Sequence, residues 1–484
     1  MRPIAIPLSR QFQLLLLAFV CTLLLATSAL AAGLKVTTRS PEALAAFLAG
    51  RERAENKDMA RAKSYLVKAV SRDTSFALAY LYLAQVSPTY SAAQTENLQK
   101  ATALVNAVSE GEQLLIKAAV AQTERQPEKE QELLMKLVSR FPEDRQARLA
   151  LASFYLRQQN REAAIAELRK GVAQMPGFPP FYALLGAALV AAGRFSDAEQ
   201  ALAAYQELLP EEPYGFVATG QLLLKQGEWQ KAAAAFEMAL HLDPEFYQAY
   251  LGLSAGYLFQ KKGDKAREQA QKLFDLAPND EIRRQALYAS GAAYLDEGNF
   301  EKATEEVRKR LELAQKSKVP QLLIADHYLL GDIWLEAGNP AAALASYRQA
   351  QAVCDTMPLP RAAKTQANQE YLLREARLAL ATKDLATAWK KALEYQKKAA
   401  GRNAAAELQQ AHLLQGVLAL EEKQFEKALQ ELSLADSHCP RTSYLIGNTY
   451  LAMGDKANAL MNWKIASRFY ELQYDYLAFR RKIN

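Results

Sequence analysis

Proline stands at positions 142, 176, 210, 244 and 278, each 34 residues after the last. Its ring fixes φ and removes an N–H, so each proline stops a helix and the interval marks a recurring unit. With every unit numbered 1 to 34 and proline at 32, position 8 is small throughout: Gly50, Ala84, Ala118, Ala152, Gly186, Gly220 and Ser254. Alanine recurs at position 20 as Ala62, Ala164, Ala198, Ala232 and Ala266, and position 24 carries Leu66, Leu134, Leu168, Leu202 and Phe236. Small residues at fixed places on two helical stretches are what two closely crossing helices need. Gly193, Gly227, Gly298, Gly338 and Gly454 fall at position 15, where a left-handed residue lets the chain leave the first helix. One such unit cannot bury its own apolar face, so neighbours must stack.

The unit 213–246 has Phe216 at 4, Gly220 at 8, Ala232 at 20, Phe236 at 24, Ala239 at 27 and Pro244 at 32. In this it resembles the tetratricopeptide repeat, although Thr219 and Leu223 depart from the pattern. The resemblance covers residues 43 to about 470 and implies an all-α, right-handed superhelical solenoid of about twelve helix-turn-helix repeats. Seven repeats run in strict phase over 43–280. The motif restarts three residues late at Gly291, Tyr294 and Ala303, and repeats 8–12 fill 281–471, with longer connections expected around "QKSKVPQ" and "DTMPLPRAAKTQAN". Glu96 and Glu130 replace the alanine at position 20 in the second and third repeats, and the seventh has its glycine two places late, at Gly263. Distortion is expected at those three. Residues 472–484 read as a C-terminal capping segment, with Phe469, Tyr470, Tyr474 and Phe479 in the core of the cap.

Residues 1–31 read as a signal peptide: Arg2 and Arg10 give positive charge, an apolar run follows, and Ala29 and Ala31 form an A-x-A cleavage site. Residues 32–42 are then a linker. The competing reading is an uncleaved membrane anchor, because no charge occurs between Phe12 and Leu34. Cys21 lacks the leucine three places earlier that a lipoprotein signal would show. Cys354 and Cys439 share position 31 of repeats two apart, too distant to bridge, and are expected as free thiols. The formal charge of +6 falls to +4 without the leader, and no cluster of lysine and arginine points to nucleic acid.

Catalytic, cofactor-binding and metal-binding residues are not expected. The four histidines, at 241, 327, 412 and 438, are scattered and lack metal-ligand spacing. "GLSAG" satisfies G-x-S-x-G, but Ser254 falls in mid-helix, where a strand-to-helix turn would be required. Phosphate-binding and dinucleotide-binding glycine loops are absent. The resemblance implies that positions 2, 5, 9 and 12 of the first helices line a concave groove. This gives Ala183, Ala187, Tyr214, Val217, Gln221, Leu251, Ala255 and Tyr288 as candidate peptide-binding residues. Packing between repeats is the competing use of the same positions. A carboxylate clamp is not expected, since position 9 is asparagine only at Asn448.

The expected function is an exported scaffold or adaptor, periplasmic or secreted, that binds a protein or peptide partner and needs no cofactor. The resemblance most often implies assembly or export of envelope components such as secretion machinery, pili or polysaccharide. The rivals are a membrane-anchored sensor or accessory subunit, an enzyme accessory protein, and an enzyme with a site assembled from scattered residues. N-terminal sequencing and hydrolase assays separate them.

Overall fold

A computed structural model describes residues 34–88, 91–402, 404–437, 439–468 and 473–480. The leader, His438, Phe469 and Tyr470 lie outside the described residues. Contacts divide the chain into two units, 34–87 with 92–194, and 88 and 91 with 195–480.

The first unit contains α1 (Pro41–Glu55), α2 (Met59–Arg72), α3 (Ala77–Val86), α4 (Ala92–Ala103), α5 (Glu110–Thr123), α6 (Pro127–Arg140), α7 (Arg145–Arg157), α8 (Arg161–Gln174) and α9 (Pro179–Ala191). The second begins with α10 (Phe195–Leu208), α11 (Pro213–Gln226), α12 (Trp229–Leu242), α13 (Tyr247–Phe259), α14 (Gly263–Leu276), α15 (Asp280–Glu297), α16 (Phe300–Ser317) and α17 (Pro320–Glu336). It continues through α18 (Pro340–Thr356), α19 (Arg361–Ala381), α20 (Leu385–Ala400), α21 (Ala405–Glu421), α22 (Phe425–Leu434), α23 (Pro440–Ala452), α24 (Lys456–Ala466) and α25 (Tyr474–Arg480). In chain order α1 to α24 alternate as twelve helix-turn-helix pairs, an all-α solenoid architecture.

The small residues sit where helices cross. A Cβ on Gly220 would come within 2.7 Å of the Phe236 ring, and one on Gly50 within 2.8 Å of Leu66, so position 8 faces position 24 of the same pair. The same meeting recurs between Gly416 and Leu432 and between Gly447 and Trp463. Alanine at position 20 lies beside it, and Ala62, Ala164, Ala198, Ala232 and Ala266 are all buried. The turn is equally regular: Gly193, Gly227, Gly298, Gly338 and Gly454 all have positive φ. Pairs without that glycine keep the conformation at a cost, with Lys57 (φ 64), Arg125 (φ 56), Gln159 (φ 57) and Lys261 (φ 61) in the left-handed region. The next residue caps the second helix, as Asp58, Asn160, Asn299 and Asn339 do through their side chains.

Three expectations need correction. Gly263 is not a displaced turn residue: Lys261 makes the left-handed turn and Gly263 begins α14. The phase slip after residue 280 comes from longer helices. α15 and α16 have 18 residues each and α17 and α18 have 17, against 14 for α11 and α12, roughly one extra turn per helix. "QKSKVPQ" and "DTMPLPRAAKTQAN" lie largely within helix ends. Glu130 does not distort its pair; it is buried and held by Arg157. The second pair is distorted. Glu96 faces water and pairs with Lys100, Ala101 is the buried residue of α4, and a 3-10 turn, Val105–Ala107, precedes α5.

Candidate functional site: the inner faces of the first helices

Within the second unit, first helices touch first helices across neighbouring pairs: α11 with α13, α13 with α15, α17 with α19, α19 with α21, α21 with α23. Within the first unit α1 touches α3 and α3 touches α5. Second helices make no comparable contacts with one another among the described residues, so the first helices converge on an inner face.

The candidate residues are distributed unevenly on it. In the first unit Ala183 is buried and Ala187 exposed, both on α9. In the second, Tyr214 is buried with its ring edge-on to Tyr205, centroids 5.9 Å apart, and Gln221 is exposed. Val217 has no accessible surface, so it packs in the core instead of lining a groove. Leu251 is half-buried against the cluster of Tyr250, Leu273 and Ile282, and Ala255 is buried. Tyr288, on α15, already has a peptide segment against it.

That segment is α25, which lies on three first helices of its own unit, α15, α17 and α23. The rings of Tyr474 and Tyr288 stack with centroids 4.3 Å apart and planes 22° from parallel. The Tyr474 hydroxyl donates to the Tyr288 carbonyl at 2.9 Å. It fills the space left by the missing side chain of Gly291. Six residues on, Arg480 pairs with Asp296 at 2.9 Å, both nine-tenths buried, and its guanidinium lies 5.0 Å from the centre of the Phe259 ring. Tyr476, Leu477 and Ala478 are buried between these anchors.

Charged groups around this face are paired. Asp326 takes Arg284 at 2.5 Å and Arg310 at 3.2 Å, and Arg310 lies 5.1 Å from the centre of the Tyr288 ring. Arg374 and Arg377 both reach Asp332, at 2.9 and 3.5 Å. Glu336 on α17 binds Arg441 on α23, joining inner helices far apart in sequence. Buried ions are costly unless their partners satisfy them, and here each carboxylate has at least one arginine. Burial pushes the neighbouring His327 below its usual pKa.

The first unit holds a different segment. Residues 34–38, without regular secondary structure, run past the starts of α7 and α5 and the end of α2, in the reverse of chain order. The Leu34 N–H donates to Asp144 at 2.8 Å, the Thr37 N–H to Glu112 at 2.9 Å, and the Thr38 hydroxyl to Asp73 at 2.5 Å. The Ser109 hydroxyl donates to the Lys35 carbonyl at 2.8 Å. Beside this segment is a cavity of about 310 Å³, lined on the helix side by Arg51, Leu78, Tyr82, Leu115 and Arg145.

Position counting within the repeats finds Gly291 as a small repeat residue but not as a slot for Tyr474, and misses Phe259 and Asp296, because these contacts are made by chain about two hundred residues away. The "S-x-x-E" at Ser109–Glu112 is legible as a capping box, which it forms, but nothing local shows that Glu112 also holds Thr37. Ser254 is fully buried in α13 and cannot serve as a nucleophile. Asn448 accepts from the Trp463 indole at 3.0 Å, so it is engaged in packing. Cys354 and Cys439 are free thiols. Among the described residues no group of histidine, cysteine, aspartate and glutamate could hold a metal ion, and no helix is long and apolar enough to cross a membrane.

Paired helices with an inner face that carries polypeptide define a repeat scaffold of the protein-binding class. The pairs are tetratricopeptide-like, and part of the chain matches that description: residues 157–216 and 223–291 match one tetratricopeptide-repeat profile, and 131–179 match another. No curated protein matches the chain. Among solved structures, the anaphase-promoting complex hetero-tetramer Cut9–Hcn1 is 14% identical, covering 89% of this chain and 78% of that one, with a TM-score of 0.43. A human IFIT1 dimer with m7Gppp-AAAA is 15% identical over 90% of this chain and 91% of that one, also with a TM-score of 0.43. The pilF protein of Pseudomonas aeruginosa is 18% identical, covering 48% and 95%, with a TM-score of 0.32. These distant likenesses add no functional detail.

Proposed function

We propose that the protein is an exported scaffold that holds a segment of a partner protein against its first helices. The observation that carries this reading is that each unit already has a segment of polypeptide against those helices, the irregular residues 34–38 in the first and helical α25 in the second. Both modes of peptide recognition, main-chain capture and an amphipathic helix on an apolar face, are thus built into one chain. A protein partner suits the second unit better than nucleic acid, because Asp326, Asp332 and Glu336 already neutralise its inner arginines. Export rests on the leader at 1–31, and an envelope role such as secretion, pilus or polysaccharide assembly would follow from it.

Two experiments test the reading. Ala187→Arg and Gln221→Arg change exposed inner positions, so each variant should keep the wild-type melt while recovery of a co-purifying partner falls. Unchanged recovery from both would argue against inner-face binding. Sequencing the mature N-terminus should give Ala32; a start at Met1 would favour the anchored alternative.

A further inference from the structure

The contacts of α25 specify a ligand. We propose that the inner face of α15 and α17 is a docking site for a short amphipathic helix carrying an aromatic residue and, six places on, an arginine, and that α25 is its resident occupant, displaced by a partner helix of the same chemistry. This deepens the scaffold reading and rests on it.

Three features make the site selective. Gly291 and Tyr288 together form a slot for one aromatic ring: the tyrosine supplies the stacking face and a carbonyl acceptor, and the glycine supplies the room. Asp296 and Phe259 form the second anchor, where an ion pair and a ring face select a planar guanidinium. Between the anchors the buried places go to Tyr476, Leu477 and Ala478, so the central part of the ligand must be apolar and small at its fifth position. Lys261 also reaches Asp296, at 3.3 Å, so the carboxylate keeps a cation beside it when arginine leaves.

The occupant is suited to release. α25 has seven residues, well below the roughly 12 to 15 an isolated helix needs in water, so its helicity depends on the groove. Tethering keeps it there by effective concentration, and a free ligand has to outcompete that tether.

The test uses the full-length chain and a fluorescent peptide of residues 473–484. In the chain carrying Tyr474→Ala and Arg480→Glu the resident helix loses both anchors. Anisotropy should show this chain binding the peptide at least about tenfold more tightly than wild type does. A peptide with the same two changes should bind neither chain, and adding Asp296→Arg to the opened chain should abolish binding. Equal affinity for both chains, no binding to either, or insensitivity to Asp296→Arg would overturn the proposal. So would a dimer formed by exchange of α25 between two copies, which would assign the groove to self-association.

Should the opened chain fail to fold, hydrogen exchange on the wild type decides. Amides of 474–480 should exchange through an opening that leaves α15 and α17 protected; exchange only together with α15 would make α25 a fixed part of the core and end the proposal. If the peptide result is negative while Ala187→Arg or Gln221→Arg still removes a partner, the scaffold reading stands and this inference alone fails.

Discussion

Gln159 and Lys383 have positive φ, 57° and 62°, at the turn where other pairs place glycine. A left-handed conformation costs a residue with a Cβ about 1 to 2 kcal/mol, and glycine returns part of this as chain entropy. Gln159→Gly and Lys383→Gly should therefore each stabilise by about 0.5 to 1 kcal/mol, read as a higher urea midpoint; a lower midpoint would contradict the turn geometry. Lys225 tests burial instead. Desolvation pushes its pKa down to about 8, from an ordinary 10.5. Between those values the unfolded chain binds more protons than the folded one, so this lysine makes stability rise with pH from 8 to 10.5. Lys225→Met should accordingly melt higher than wild type at pH 7, with the gap closing by pH 10.5. A constant gap would mean that the ammonium is solvated. At this scale the turn was legible from its glycines alone. The lysines and glutamine doing the same work were not, because nothing in those side chains favours the left-handed region and only the stacked pair imposes it.

Crossings such as those of Gly50 on Leu66 and Gly220 on Phe236 depend on the contact between positions 8 and 24, readable because close approach admits few residue types. Gly220→Leu should overpack the crossing against Phe236 and destabilise by about 1 to 3 kcal/mol in thermal or urea unfolding. An unchanged melt would put the crossing elsewhere. Val217→Glu buries a carboxylate where no surface is accessible and should unfold its part of the second unit, seen as lost helical signal. Helix length was not legible in the same way. The slip after residue 280 suggested longer connections, whereas the chain spends the extra residues on extra turns of α15 to α19, which preserve the apolar periodicity and so leave no breaker in the sequence. The second pair shows the opposite case: Glu96 at position 20 signalled distortion, and α4 is distorted, with Glu96 in water beside Lys100 and Ala101 as its buried residue.

Over the whole molecule, the repeat architecture followed from one spacing rule, and the contents of the inner faces did not. Stacking is a local relation between neighbours, so it leaves a periodic trace in the sequence. The meeting of Tyr474 with Tyr288 joins residues 186 apart, and no short-range pattern records it. The candidate groove positions were accordingly mixed: Tyr288 carries a ring stack, Gln221 and Ala187 face solvent, and Val217 belongs to the core. What the two units share is that first helices touch first helices and polypeptide lies against them. Photocrosslinking in living cells from Gln221 on the first-helix face, compared with Met238 exposed on a second helix, tests this most directly. Position 221 should trap a defined partner protein and position 238 should not; equal trapping from both, or trapping from 238 alone, would contradict the assignment of binding to the inner face.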